Sequence, residues 1–325
     1  MITGLCRAYT DYIISLSSAE LETLDCDKGA SKEINSTRLY EILEQWEGSW
    51  LPGGPVANAL DMVASLGGSA GFIGKTSNDD AGEVFRNAFR KSGVHYVTPS
   101  ANKQDNHASG VCICFVTKED AERSFMFCKG VVDLITENDL TANAEILSKT
   151  TILFASHYMK YAPLSALVKK ALAMTNGARL ATSLQTINTE CSNPDVICKD
   201  YIELSDIMLG NREEWAFLLA HSDFQTIDEL SRHYPDRVYV QTLNSEGAAI
   251  YQNGAMTLVS SQSPDKIVDT TGAGDGFAGG FLHALEQGKS LKECGECGAA
   301  AAAHILQHYG GRPVSDTDTE SLAAL

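Results

Sequence analysis

The sequence predicts an α/β protein, a doubly wound and mostly parallel sheet flanked by helices, accompanied by a small second β-sheet. Three observations carry that expectation. Short apolar runs alternate with amphipathic helical runs along most of the chain, the pattern of βα units. Two segments, about 12–50 and 95–128, break the alternation. The 325 residues, 44% of them apolar, suffice for one large domain with an appendage. We read residues 1–325 as one such domain.

The elements follow in order. AGFIG at 70–74 is a buried strand, followed by a helix from about Asp80 to Ser92 with Val84, Phe85, Ala88 and Phe89 on one face. TILFAS at 151–156 is a second strand, with a helix near 163–174 behind it, and the runs ALVKKALAM, DIMLGN and RVYVQT continue the alternation. In the two irregular segments, GVCICFV and RSFMFC carry the β-branched and aromatic bias of strands without intervening helices. They form either edge strands of the main sheet or a separate small sheet suited to closing over a site and excluding water.

Charge and cysteines narrow the function. A net charge of -17 argues against nucleic-acid or anionic-membrane partners. No run reaches the roughly 18–20 apolar residues of a membrane span, and MITGLCRAYTDYIIS lacks the features of a signal peptide, so a cytoplasmic location is expected. Nine scattered cysteines read as reduced thiols. Cys294 and Cys297 form a CxxC pair with no second pair, and read as ordinary cysteines of an Ala-rich helix.

The stretch VDTTGAGDGFAGGFLHALEQG, residues 268–288, carries the chemistry. A strand-like end meets Gly272, Ala273 and Gly274, then a helix with Phe277, Phe281 and Leu285 at helical spacing and Gly288 as its stop. Small residues let backbone amides converge at a helix N-terminus, which favours an anion. Asp275 alone would be a helix-start cap. Beside an anion hole it becomes a base for a hydroxyl attacking a phosphoryl group. Gly274, Gly276 and Gly279 spell GxGxxG, but too little chain follows for a dinucleotide-binding unit. Gly74, Lys75 and Thr76 resemble the end of a P-loop whose first glycine is replaced by Ser69.

With DTTGAGD at 269–275 and GGPVANALDMVASLGGSAGFIGKTSNDDAG at 53–82, the chain resembles the ribokinase-like, or PfkB, family of carbohydrate and nucleoside kinases from Asp11 to Pro313. The resemblance implies a ribokinase-like fold with a β-sheet lid, ATP and Mg2+ as donor and cofactor, and a small-molecule acceptor. It also implies Asp275 as catalytic base and Gly272, Ala273 and Gly274 as the anion hole. Asp11, Gly53, Gly54 and Asn58 would bind the acceptor, and Arg123 would be the lid arginine. Asn211 and Glu214 of GNREEW match the motif that organises magnesium through water. Thr242, Asn244 and Gly247 of TLNSEG, with Gly274, match the nucleotide contacts, although Asn244 stands where the family usually has glycine. Asp269 and Thr271 would border a monovalent-cation site, K+ in many relatives. At the N-terminus Cys6 and Arg7 replace the commoner glycine-Asn approach to the substrate Asp.

The likeness is greatest to bacterial adenosine kinase-type members, which implies the adenosine 5′-hydroxyl as acceptor. A sugar kinase for ribose, fructose or a related sugar is the alternative, and a non-catalytic sensor is the alternative of another class. Phe115, Phe125 and Phe127 either wall a base pocket or form the core of the small sheet. The expected assembly is a monomer or a homodimer, the extra strands being private or shared.

Overall fold

Ala70–Ile73 and Ile152–Ala155 are buried at every position, as strands covered on both faces must be. Successive residues serve opposite layers: Ile152 and Phe154 join one core, Leu153 and Ala155 the other. A computed structural model of the chain describes residues 1–101, 108–120, 122–189, 193–262, 264 and 266–313. Of the segment 95–128 expected in the lid, residues 102–107 and 121 lie outside the described residues.

The strands, in chain order, are β1 (Ile2–Leu5), β2 (Tyr9–Leu16), β3 (Ser31–Glu33), β4 (Ser49–Pro52), β5 (Ala70–Ile73), β6 (Gly110–Thr117) and β7 (Arg123–Cys128). They continue with β8 (Ile152–Ala155), β9 (Arg179–Ser183), β10 (Ile207–Asn211), β11 (Val238–Thr242), β12 (Ala248–Gln252) and β13 (Ala255–Val259). The larger sheet runs β13-β12-β11-β10-β9-β8-β1-β5. It is parallel from β11 to β5, with β12 and β13 antiparallel at one edge. Helices cover both faces. On one, Pro55–Ser65, Asp80–Ser92, Ala273–Glu286 and Leu291–Ile305 bury Leu60, Phe85, Phe281 and Cys294; on the other lie Val168, Tyr201 and Trp215. Cys294 and Cys297 are free thiols in Leu291–Ile305, and burial pushes Cys294 up to about 12, as befits a packing residue.

The second sheet, β3-β7-β6-β2-β4, is separate from the first. It begins at Tyr9, and the segment expected to lack helices contains two, Ser18–Thr23 and Ser36–Gln45. Their start signals are local: Ser17 and Glu20 form a capping box, and Asn35 caps the second helix. Leu21, Leu39 and Ile42 from these helices pack on Tyr12, Ile14, Ile113, Phe115 and Met126. One face of the small sheet is thus covered by the chain itself.

Strand register settles the other face. Asp11 pairs with Cys112, which pairs with Phe127, which pairs with Glu33; Cys114 pairs with Phe125, which pairs with Ser31. Those residues therefore point away from the face that holds Phe115. Of the three phenylalanines considered as pocket walls, Phe115 is a core residue, since it stands opposite Ser124 on the helix-covered face. We expect Phe115→Ala to cost about 3–5 kcal/mol of stability in equilibrium urea unfolding, and Phe125→Ala far less. Equal losses would contradict the assignment of faces.

Candidate active site

The free face of the small sheet and the C-terminal ends of β1, β8 and β9 enclose a cavity of about 630 Å³. Asp11, Cys112, Phe125, Phe127 and Glu33 line it from the small sheet, and Arg7, Gly54, His157, Lys160 and Thr186 from the larger unit. A second cavity of about 140 Å³ is lined by Gln185, Asn211, Glu214, Thr242, Gly274 and Asp275. Pro55 borders both.

Asp275 is the third residue of Ala273–Glu286, whose N-cap is Gly272 at φ 75°. Asn58, buried in the first turns of Pro55–Ser65, donates Nδ2–H to Asp275 Oδ2 at 2.9 Å. Burial pushes the Asp275 carboxyl up to about 7; the Asn58 bond and Arg312 oppose this, and the charges of Asp11 and Glu214 add to it. Asp11 is pushed up to about 6 by burial, with Arg312 opposing. The structure thus joins Asp11, Gly54, Asn58, Gly274 and Asp275 around two adjoining cavities, although neither Asp11 nor Asn58 has the position expected of isolated residues. Asp11 sits inside β2 rather than in a strand-end turn, and Asn58 is only 5% exposed rather than on a helix surface.

The glycines have specific reasons. A Cβ on Gly53 would lie 2.5 Å from Asp11 Oδ2, and one on Gly272 would lie 2.3 Å from Gly311 Cα. A Cβ on Gly274 would meet nothing within 4 Å, so the helix start is bare toward the smaller cavity. Asn244 adopts φ 54°, a left-handed conformation open to asparagine, which accounts for its standing at a glycine position. Asn244 and Gly247 form the turn between β11 and β12, while Thr242 reaches the smaller cavity.

Asn211 and Glu214 are engaged with each other's backbone. Asn211 Oδ1 accepts from the amides of Glu213 and Glu214, both at 2.9 Å, and Glu214 Oε2 accepts from the Asn211 amide at 2.8 Å. This capping box points Glu214 into the smaller cavity, where buried Gln185 Oε1 has no hydrogen-bond partner. A hydrated magnesium ion fits such an oxygen set. Among the described residues no three His, Cys, Asp or Glu side chains gather as a closed metal site, and no helix is long and apolar enough to cross a membrane.

Arg123 stands in β7 of the small sheet, and its head group reaches out of it. Its Nη2 donates to Asp269 Oδ1 at 2.8 Å and its Nη1 to Thr271 Oγ1, so it ties β7 to the turn before Ala273–Glu286 and does not line the larger cavity. Asp269 also accepts from the amides of Thr271 and Gly310, at 2.9 and 3.1 Å. Burial works to raise its carboxyl, but these bonds and the Arg123 charge hold it below the usual range. Asp269 and Thr271 therefore do not fit a monovalent cation here, because the carboxylate is already met by a guanidinium. Lys75, from the P-loop-like run, pairs with buried Asp139 at 2.6 Å.

Several wall residues carried no pattern in the sequence. Arg7 makes two bonds of 2.7 Å to Asp133, and Lys160 Nζ donates to the carbonyls of Thr186 and Thr189 at 2.9 and 3.1 Å. His157 is held neutral by burial, its pKa lowered to about 3. Arg312 lies 6% exposed behind Asn58. Arg7 left a trace, as a departure from the family's usual approach to Asp11.

The family model described as pfkB family carbohydrate kinase matches residues 37–318. The 5-dehydro-2-deoxygluconokinase of Bacillus subtilis is 25% identical over 276 residues, covering 82% of this chain and 84% of that protein. That of Clostridium perfringens is 26% identical over 289 residues, covering 85% of each. Among solved structures, adenosine kinase from Sinorhizobium meliloti superposes with a TM-score of 0.84 at 27% identity, covering 100% of this chain and 99% of that one. A probable sugar kinase from Rhizobium etli CFN 42 gives 0.78 at 24% identity, covering 99% and 96%, a likeness of fold.

The elevated Asp275 carboxyl has a consequence for stability. At pH below the ordinary carboxylate value both folded and unfolded chains carry the proton, and nothing is lost. As pH rises, the unfolded chain releases a proton that the folded one keeps until about 7, so stability is drained over that window and the loss is complete above it. Asp275→Asn should therefore melt higher than the parent at about pH 8, with the gap closing toward about pH 4. A variant that melts lower at about pH 8 would refute the buried, high-pKa assignment.

Proposed function

Because the chain belongs to the pfkB family of carbohydrate kinases, and is an ATP-dependent phosphotransferase acting on a hydroxyl group, we propose that its acceptor is the 5′-hydroxyl of a nucleoside, adenosine foremost. The observation that carries this reading is the pair Phe125 and Phe127 on one wall of the larger cavity, Phe127 in the cross-strand row of Asp11 and Phe125 two residues away on the same face. Aromatic faces suit a purine, and a carboxylate acceptor beside the close-approaching backbone of Gly54 suits a ribose diol. About 630 Å³ is room for more than a single sugar ring. The likeness to the Sinorhizobium meliloti adenosine kinase supports the same reading.

In this reading the acceptor hydroxyl lies against Asp275, which takes its proton as the oxygen attacks the γ-phosphorus. The bond from that phosphorus to the bridging oxygen breaks as the new one forms, and ADP leaves with the electron pair. Asp275 suits the task because its carboxyl, raised to about 7, binds a proton more readily than an ordinary carboxylate while remaining substantially ionised near neutrality. The helix N-terminus at Gly272, Ala273 and Gly274 is where the transferring charge would be met by backbone amides, the Ala273 amide giving up a long 3.4 Å bond to the Thr270 carbonyl to do so. Magnesium, when bound with ATP, neutralises phosphate charge, and Glu214 and Gln185 are the oxygens this chain offers to its water shell.

A second reading, a sugar-acid acceptor, is favoured by Arg7 and Lys160 on the wall away from the phenylalanines, and by the activity named for the Bacillus subtilis relative. An ATP-consumption assay across adenosine, other nucleosides, ribose, fructose and 5-dehydro-2-deoxygluconate decides between them. Turnover is expected to be greatest with adenosine and to fall by about 10²–10⁴ in Asp275→Asn with ligand binding retained. Preference for the sugar acid would transfer the acceptor assignment to the second reading and leave the base in place.

A further inference from the structure

The segment Gly310–Arg312 is packed into the junction of the two motif helices. The Gly310 amide donates to Asp269, Gly311 abuts Gly272, and a Cβ on Gly311 would lie 2.5 Å from Asn58 Nδ2. Arg312 follows, buried between two environments. Its guanidinium carbon lies 4.8 Å from the Phe89 ring centre and 5.3 Å from that of Phe85. On the polar side Nε donates to Asn58 Oδ1 at 3.1 Å and Nη2 donates to the Gly53 carbonyl at 2.9 Å. Among the described residues no carboxylate lies within ion-pair distance of it, and Nη1 has no partner. Burying a guanidinium for a bond to one amide and one carbonyl is costly, and a packing role alone would be met more cheaply by an apolar side chain.

We propose that Arg312 is a positioning residue that fixes the side-chain amide of Asn58 so that its NH2 group, and never its oxygen, faces the base Asp275. The argument is one of donors and acceptors. A guanidinium has only N–H donors, so the Asn58 oxygen must turn toward it. The amide nitrogen then has one direction left, and donates to Asp275 Oδ2 at 2.9 Å. That bond favours the ionised carboxylate, the form that accepts a proton. Without Arg312 the amide is free to rotate by half a turn and present its oxygen to Asp275. That arrangement is favourable only when Asp275 carries a proton and donates it, which leaves the base occupied. The surroundings offer no substitute for this control: the charged groups that bear on Asp275 are Asp11 from β2, Glu214 from the helix Arg212–Ala220, and Arg312 itself. Both carboxylates work against ionisation.

The inference rests on Asp275 being the base, and the test separates the two claims. The pH dependence of kcat is measured for the full-length kinase with its best acceptor. For Arg312→Met the acid limb should move up by about one pH unit. Its kcat near neutrality should fall about fivefold and recover toward the parent at high pH, with the acceptor KM within about twofold. Arg312→Gln lacks the charge but keeps an N–H for the Asn58 oxygen, and its limb should move by clearly less than that of Arg312→Met. An unmoved limb in Arg312→Met overturns the proposal. So does an equal shift in both variants, which would assign the effect to charge and not to orientation. If Arg312→Met does not fold, as its thermal melt will show, Arg312→Gln alone still decides, because a shift of about one unit in it is incompatible with orientation through the retained donor. Failure of Asp275→Asn to lose turnover would instead remove the base assignment on which the inference stands.

Discussion

The structure depends on a set of carboxylates withdrawn from water around one guanidinium. Asp11, Asp61 and Asp275 are all raised by burial, and Arg312 is the cation that acts against the rise in each. Like charges held together in a medium of low polarisability are expensive, and no ordinary core would assemble them. Here the arrangement persists because the backbone around it is over-determined. Gly53 is bonded through its carbonyl to Arg312, Gly272 is locked against Gly311, and Asp269 is held by two amides and Arg123. The unfavourable electrostatics and the chemistry have one origin, since the environment that resists ionisation of Asp275 also makes it a competent proton acceptor.

Close approach explains why two glycine-rich segments so far apart in sequence belong to one site. Gly53 leaves room for the Asp11 carboxylate, Gly272 for Gly311, and Gly311 for Asn58. Each is a place where a methyl group would displace backbone or a functional side chain. Motifs at 53–58 and 269–275, with the tripeptide at 310–312, therefore form a single packed junction between the starts of Pro55–Ser65 and Ala273–Glu286.

Much of this was legible in the sequence, and the rest was not for identifiable reasons. Alternation of apolar runs and helices reveals the large sheet because burial on both faces leaves unbroken apolar strands such as Ile152–Ala155. The helix beginning near Asp275 and the glycine turn before it follow from small residues and helical spacing. Period-2 alternation in RSFMFC shows that β7 has two faces but cannot say which is inward; that depends on pairing with β6 and on the helices that cover Phe115. The partners of Arg123 were not legible, because a sequence position says where a long side chain begins and not where its head group ends. Asn211 and Glu214 were posed as either a helix start or a magnesium motif, and the capping box is itself what aims Glu214 at the cavity. Arg312 lies in the GGRP run at 310–313, part of the likeness to bacterial adenosine kinase-type members, but its role was not legible because its partners at 53 and 58 lie at the other end of the chain.

The division of the site between two sheets has a further implication. Glu33, Phe127, Cys112 and Asp11 stand in one cross-strand row, with the reverse face sealed by the chain's own helices. The wall of the larger cavity built by the small sheet is thus packed on its reverse face and distinct from the large-sheet loops and the helix start that carry Asp275, Glu214 and Thr242. Asp11 and Arg123 reach from the first unit to the second, Asp11 through its charge on Asp275 and Arg123 through its ion pair with Asp269. Phe125, Phe127 and Glu33 line the larger cavity and not the smaller one that Asp275 lines, so in the proposed reading they can vary without moving the base. A fold divided in this way keeps one phosphoryl-transfer chemistry while its acceptor varies, which is how an adenosine kinase and a 5-dehydro-2-deoxygluconokinase can both resemble this chain along most of its length.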